Sequence, residues 1–447
     1  MTVLVVGATG TDWNAAMNLR TTLPLWAILS TACLGAKPEI ERVDVERILS
    51  TLSADSMEGR DAFGPGIEKA EDFIAKEFAA IGLDRMEGLD SYLQSFPAYS
   101  LDPESRKVVV NGRSIPDDRV AIVSQQESFH WTSPRDVEVV RIGPNDNLIG
   151  EFSARRRGAG NTLLLVDEGQ KELFDRIRRF VSGPSHAMQL TDSSACVLVL
   201  TRQTRARSLD VRVVNKVTEH ELTNVVGVIP GKRADEIVLF SGHYDHIGIR
   251  SPVEGDSIAN GANDDASGTT AVIELARYFK ALGKPERTLM FATFTAEEVG
   301  GFGSRYFSQQ LDPDGIVAMF NIEMIGKPGE GGPNTAWITG FDKSDFGEIL
   351  SRAVEGTEYS FYADPYPDEN LFYRSDNATL ARLGVPAHSI STTPIDVDTD
   401  YHRVSDEIAT LDLDHVTNTI KAIAKGAATI ISGEATPSRV AGVDESN

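Results

Sequence analysis

A chain of 447 residues is longer than one hydrophobic core usually organises, so at least two domains are expected. Lysine and arginine number 43 against 66 aspartates and glutamates, a net charge of −23, which argues against nucleic acid or an anionic membrane as the main partner and for a solvated acidic surface. With only Cys33 and Cys196 there is no disulfide framework, and beyond a short leader no stretch is long and apolar enough to span a membrane.

The chain begins with Val3 to Gly10, which has the form of a strand and glycine turn of a nucleotide-binding fold, but no βαβ unit follows and no acidic residue ends a second strand. Residues 1–36 read as a leader: a basic start at Met17–Arg20, a short apolar run from Leu23 to Leu29, and small residues up to Cys33. The natural start is expected at Met17, with residues 1–16 not part of it. The small residues before Cys33 fit a lipid anchor on that cysteine; Ser30 fits it poorly, and simple cleavage stands beside it. Either route implies an extracytoplasmic protein, whether secreted, periplasmic or lipid-anchored.

Residues 37–100 carry helical periodicity at Val43–Leu49 and Ala70–Phe78, a glycine stop at Gly82, a loop at Met57–Arg60 and then an extended segment. Residues 101–220 change character. Short β-like runs (Val108–Val110, Val137–Val140, Leu163–Val166, Ala195–Leu200) alternate with polar turns and one basic helical piece, Phe174–Phe180, predicting a small β-rich domain inserted into a larger one. His130 and His186 stand alone there, and Cys196 sits in an apolar run as a buried thiol.

From 221 to 433, strands and helices alternate. Strands are predicted at Thr223–Ile229, Glu236–Phe240, Thr288–Phe294, Ile316–Ile322 and Pro386–Ser391. Helices are predicted after Ser267, over Gly301–Gln310 and over Leu411–Ile431. This alternation implies an α/β fold with a mainly parallel central sheet flanked by helices. Residues 434–447 read as a disordered tail.

Potential metal ligands gather where these strands stop. His243 and Asp245 follow one strand, with Asp264 after the next loop; Glu297 and Glu298 follow the next, Glu323 the next, and Tyr401-His402 closes an aspartate-rich loop. Ligands bind beyond the carboxyl ends of strands in such sheets. A single strand-end carboxylate is usually structural, but recurrence at successive strand ends is not easily so. Two histidines with three carboxylates suit two divalent zinc ions, held at roughly 3.5–4 Å by a bridging carboxylate. Adjacent glutamates allow one to ligate while the other takes a proton from water. Asp245, two residues beyond His243 on an extended chain, is placed to accept the second imidazole N–H. His246 could compete as a ligand, but on an extended chain it points to the opposite side from Asp245 and reads as packing or lining.

His243-Tyr244-Asp245, Gly261–Gly268, Ala296–Ser304, Asn321–Gly326 and Tyr401-His402 resemble, in order, the motifs of the di-zinc aminopeptidase family, whose members include secreted bacterial aminopeptidases, aminopeptidase Y, glutamate carboxypeptidase II, the transferrin receptor and glutaminyl cyclases. The resemblance covers about 221–433 and, more weakly, 40–100. It implies a zinc-exopeptidase fold and a protein that removes N-terminal residues from peptides by attack of a zinc-bound hydroxide, with two zinc ions per chain. His243 and Glu323 would hold one ion, Glu298 and His402 the other, and Asp264 would bridge. Glu297 would be the general base, Asp245 the orienting acid and Tyr401 an oxyanion donor. Tyr373–Asn377 resembles a family segment near the site, and the region 101–220 resembles an inserted protease-associated domain.

One position departs from the family pattern. Glu323 stands where aspartate is usual, and its extra methylene moves the carboxylate and the room beside it. Other chemistries on this fold are a carboxypeptidase or dipeptidase, with Arg305, Arg374 and Arg403 as candidate carboxylate holders, a glutaminyl cyclase, and a non-catalytic receptor-like binding protein. The full ligand set argues against the last two.

Overall fold

The computed structural model describes residues 38–157 and 160–441. The leader, with Cys33 and Met17, lies outside the described residues. Among the described residues no helix is long and apolar enough to cross a membrane.

One large sheet organises the chain. Its strands run in the order Ser360–Ala363, Thr335–Ile338, Ala387–Ser391, Ile316–Ile322, Arg233–His243, Arg287–Phe294, Leu209–Ile229, Leu93–Val110 and Arg113–Ser114. The centre is parallel, as expected: Arg233–His243 pairs in parallel with both Arg287–Phe294 and Ile316–Ile322, which in turn pairs in parallel with Ala387–Ser391. Arg287–Phe294 and Ile316–Ile322 are buried on both faces and mainly apolar, and Ala387–Ser391 is buried although it carries His388, Ser389 and Ser391. Antiparallel pairs flank this centre on both sides. Helices Arg42–Leu52, Gly66–Ile81, Gly268–Leu282 and Leu413–Gly426 share one core with it, centred on Phe240, Phe291 and Phe320. Phe240 stacks on both of the others, with ring centroids 5.5 and 4.9 Å away.

Two strands are far longer than the sequence pattern indicated. Leu93–Val110 and Leu209–Ile229 form an antiparallel ribbon leading from the large sheet to a second one, with a register shift at Val214/Asn215 opposite Pro103. Proline has no amide to give a ladder, so an irregularity there is expected. The second sheet orders Val120–Ser124, Ser194–Leu200, Gly160–Val166 and Glu138–Ile142. Leu163, Leu165, Val197 and Val199 face the ribbon's Val108 and Val211, whereas Leu164, Val166 and Leu198 face Phe152, Phe174 and Ile177. Cys196 is buried in that second layer, and burial pushes its thiol up to about 12.

The expected disordered tail needs correction for its first part. Residues 434–441 are tied to the body. Arg439 donates to the Pro313 and Ile316 carbonyls, Ser438 to Asp345, and Val440 is buried with its amide on the Gly384 carbonyl. Buried Arg287 holds the same segment through the Ile430 and Ala435 carbonyls. Two guanidinium groups seeking acceptors fix a stretch whose composition alone reads as loose. Residues 442–447 lie outside the described residues.

His388, on the strand Ala387–Ser391, is fully buried. Its Nδ1 lies 2.8 Å from the Thr339 carbonyl and its Nε2 2.7 Å from the Ser344 hydroxyl, with the ring stacked on Phe346. Burial lowers it to about 4, so the folded state holds it neutral. An unfolded histidine titrates near about 6.5. Its contribution is therefore complete above about pH 6.5 and is lost as pH falls toward 4. Urea unfolding of the metal-free protein is expected to show the stability gap between wild type and His388→Asn shrinking across that window. A gap independent of pH would contradict the assignment.

Candidate functional site

The site forms where the parallel strands end. His243 is the last residue of its strand and still pairs with Phe294. The strand stops there, and Tyr244, fully buried, donates its hydroxyl to the Thr223 carbonyl. Glu297 and Glu298 follow the strand Arg287–Phe294 after a turn at Ala296 (φ 59°), and Glu323 follows Ile316–Ile322, before Met324 (φ 54°). His402 itself adopts φ 57°. Positive φ is costly for residues with a Cβ, and its recurrence beside these side chains marks a region held by its surroundings.

Asp264 is the centre of the arrangement. Its Oδ1 lies 3.3 Å from His243 Nε2 and its Oδ2 3.2 Å from His402 Nε2. Glu298 approaches the same side, with Oε2 3.0 Å from His402 Nε2 and Oε1 2.8 Å from His246 Nδ1. His243 Nε2, both nitrogens of His246 and Glu298 Oε1 are buried, and none has a hydrogen-bond partner of proper geometry. One ligand atom from each of His246, Asp264 and Glu298 lies within 4.8 Å of the others, close enough to share a cation. The nitrogen and oxygen donor set fits a zinc-type ion.

The charges agree. Burial opposes ionisation of Asp264, yet His243 and His402 hold it well below the usual carboxylate range. Burial and Asp264 both push Glu298 up, but His246 and His402 bring it to about 2. Burial disfavours the charged ring of His402, and Asp264 and Glu298 outweigh it, raising it to about 10. Glu297 differs from its neighbour: its carboxylate makes no described hydrogen bond, and burial raises it well above the ordinary value, against the pull of His243.

The remaining predicted residues fall as follows. Asp245 is fully buried beside His243, but its carboxylate receives the amides of Glu297 and Glu298 at 3.0 and 3.3 Å. The His243 Nδ1 lies 3.1 Å from the Asp245 carbonyl and 3.7 Å from its carboxylate. Asp245 thus holds the two-glutamate turn as much as the ring. Glu323 is part-buried with its carboxyl near Ser375; desolvation raises it, and His243 counters. It is not one of the three residues, His246, Asp264 and Glu298, whose ligand atoms cluster within 4.8 Å. Tyr401 stacks on His402, with centroids 4.0 Å apart. Burial, then Asp264 and Glu298, push its hydroxyl far up, so it stays protonated. In the segment Tyr373–Asn377, Ser375 accepts from Asn321, and buried Asp376 is raised to about 7, mainly by burial. Arg305, Arg374 and Arg403 are all exposed, and Arg374 pairs with Glu369 at 3.0 Å.

Sequence reasoning missed the residues that hold these loops in place. His246, expected as packing or lining, instead has its Nδ1 2.8 Å from Glu298 Oε1. Asp265 accepts the amides of His243, Gly268 and Met324, joining two strand ends to a helix start. Asp406 accepts the amides of Asn263 and Asp264. Lys327 bridges Asp398 and Asp400 at 2.6 and 2.7 Å, tying the His402 loop to the chain beyond Glu323. The stretch expected as a loop is a kinked 3-10 segment, Asp55–Arg60, and Arg60 at its end is wholly buried and donates to four carbonyls, those of Leu52, Tyr244, Asn260 and Gly261. Its charge is disfavoured by burial and supported by Asp406, Asp245, Asp264 and Asp265. Gly59 beside it leaves no room for a side chain, since a Cβ would meet the Ala259 carbonyl at 2.5 Å. The one sequence signal was a neighbouring glycine, Gly59 beside Arg60 and Gly326 beside Lys327; Asp265 and Asp406 have none.

Fold and site together define an α/β protein with a buried carboxylate–histidine centre at the carboxyl ends of parallel strands. Residues 224–427 match the family model described as Peptidase family M28. A leucine aminopeptidase 1 of Trichophyton rubrum is 30% identical over 220 residues, 45% of this chain and 56% of that protein. A probable zinc metalloprotease of Pyricularia oryzae is 34% identical over 143 residues, 30% of this chain and 28% of that protein. The chain thus spans little more than half the length of the first of these relatives. Among solved structures, the aminopeptidase from Aneurinibacillus sp. strain AM-1 superposes with a TM-score of 0.55 at 18% identity, covering 92% of this chain and 97% of that one. BSAP, a zinc aminopeptidase from Bacillus subtilis, gives 0.54 at 16%, covering 90% and 98%. At these identities the likeness is one of fold. The match to Peptidase family M28 thus covers a little under half of the chain, residues 224–427.

Removing the Arg60 guanidinium would leave several buried carbonyls without donors, each costing about 1–3 kcal/mol. Arg60→Met is expected to lower the stability of the metal-free protein by at least about 3 kcal/mol, read from urea unfolding. A loss under about 1 kcal/mol would mean that Arg60 does not hold these loops.

Proposed function

We propose that this protein is a zinc-dependent aminopeptidase that hydrolyses the N-terminal residue from peptides. The observation that carries the reading is the Asp264 carboxylate, each of whose oxygens faces a different histidine, with Glu297 uncommitted beside it. The family, the relatives named leucine aminopeptidases and the fold shared with zinc aminopeptidases support it.

In this reading His243 and Glu323 would hold one zinc ion, Glu298 and His402 a second, and Asp264 both. Bound there, zinc would acidify water and polarise the scissile carbonyl. Glu297, whose carboxyl is raised, takes the proton of the attacking water and returns it to the leaving amine. Asp245 fixes the turn that presents Glu297, through that residue's own amide. Tyr401, protonated and half-buried beside His402, is the donor for the oxyanion that develops on the carbonyl. The buried acid field of Glu297, Glu323 and Asp376 suits a substrate ammonium. The exposed positions of Arg305, Arg374 and Arg403 offer no buried partner for a substrate carboxylate, which favours an aminopeptidase over a carboxypeptidase. The small sheet of residues 120–200 is read as the inserted protease-associated-like unit.

The test is a panel of aminoacyl amides, N-blocked peptides and free peptides with zinc-loaded protein. Release of free N-terminal residues, with N-blocked peptides left intact, is expected. Glu297→Gln is expected to keep its metal and lose about 10²–10⁴-fold in kcat. Cleavage from the carboxyl end, or of blocked peptides only, would exclude the aminopeptidase.

A further inference from the structure

His246 is a fully buried imidazole with no partner of proper hydrogen-bond geometry on either nitrogen. A histidine buried for packing finds acceptors and donors, as His388 does with Thr339 and Ser344. His246 instead directs Nδ1 at ligand atoms: 2.8 Å from Glu298 Oε1 and 3.9 Å from Asp264 Oδ2. Its ring meets that of His402 edge-on, with centroids 5.7 Å apart and planes at 67°. The ligand atoms of His246, Asp264 and Glu298 all lie within 4.8 Å of one another.

The backbone is arranged to admit this ring. The His246 amide donates to the Arg60 carbonyl at 3.1 Å, and Asp61 bridges to it. Gly261, at φ 56°, lies against the ring, and a Cβ there would sit 2.5 Å from His246 Cγ. Arg60 secures both sides of the contact through the Tyr244 and Gly261 carbonyls. Three separate stretches of chain thus make room for an imidazole that no hydrogen bond explains.

We propose that His246 is an additional ligand at the metal position of Glu298 and His402, giving it two imidazoles and two carboxylates. The proposal rests on the two-metal reading above. Zinc prefers four donors at closed sites and keeps a place open for water at sites where it reacts. The two positions then differ in role: the His246 position is filled by protein donors, and the open place belongs to the position of His243 and Glu323. This division of work assigns Glu323 to the reacting side, where its extra methylene bears on the space left for substrate.

The test uses metal-free full-length protein titrated with Co²⁺, read by visible absorption and by equilibrium dialysis, for wild type, His246→Asn and His246→Gln. The two variants guard against a folding defect in one of them, and far-ultraviolet dichroism checks both. Wild type is expected to bind two ions. In the variants one of the two is expected to bind at least about 10³-fold more weakly, more than the 10–100-fold attributed to residues that only orient a ligand. The Co²⁺ spectrum of that position is expected to change while the other stays as in wild type. A Co²⁺ spectrum identical to wild type overturns the proposal, whatever the change in affinity. In wild type loaded with ¹¹³Cd and labelled with ¹⁵N-histidine, coupling of cadmium to the His246 ring supports the proposal, and its absence overturns it without any variant. Wild type that binds fewer than two ions defeats the two-metal reading itself, and this proposal with it. Two ions bound with an unchanged variant spectrum defeat the proposal alone.

Discussion

Buried negative charge is the constraint on which the site depends. Buried Asp245, Asp264, Asp265, Asp376 and Asp406 and part-buried Glu297, Glu298 and Glu323 surround the site, with buried Arg60, His243 and His246 and the exposed ring of His402 among them. Carboxylates out of water are costly unless paired, so some of these are pushed toward the protonated form and others are held ionised by imidazoles. A divalent cation relieves this imbalance more fully than the protein's own side chains do.

The surrounding hydrogen bonds serve the same constraint. Several carboxylates in the set are acceptors for main-chain amides as well as candidate ligands or ligand supports. Asp245 takes the Glu297 and Glu298 amides, Asp265 takes those of His243, Gly268 and Met324, and Asp406 takes those of Asn263 and Asp264. Each joins loops that are far apart in sequence, so the charges that need neutralising also fix the geometry of their neighbours. Arg60 closes the arrangement from beneath by gathering carbonyls from the two loops that carry His243 and Asp264. Such a network is stiff because moving one loop strands polar groups on another.

The helix at Gly268–Leu282 shows how local and global requirements meet. Its N-terminal residue Ser267 is in the position of a cap, yet its hydroxyl donates to the Asn263 carbonyl and accepts from the Ile325 amide. The group that would cap a free helix is used to join the Asp264 loop to the chain beyond Glu323. Thr269 donates similarly to the His243 carbonyl. Helix start, ligand loop and strand ends are one unit.

Much was legible in the sequence. The apolar runs at Glu236–Phe240, Thr288–Phe294 and Ile316–Ile322 marked buried central strands, because a strand covered on both faces has no polar alternation to blur it. The candidate ligands were placed just past those runs, where open α/β sheets bind. Other parts were decided only by tertiary structure. The ribbon strands Leu93–Val110 and Leu209–Ile229 are partly exposed, so their polar residues mask their length, and Thr335–Ile338 and Ser360–Ala363 are too short to carry a period. Arg60 was beyond sequence reasoning, because residue spacing gives the direction of a side chain only while the backbone stays regular, and Arg60 sits at φ 50°. For His246 the spacing left ligand and lining both open, and only the folded chain brings its Nδ1 to Glu298. The sequence determined which donors and acids the site contains. The folded chain decided which of them share an atom's reach, since that depends on loops brought together from opposite ends of the molecule.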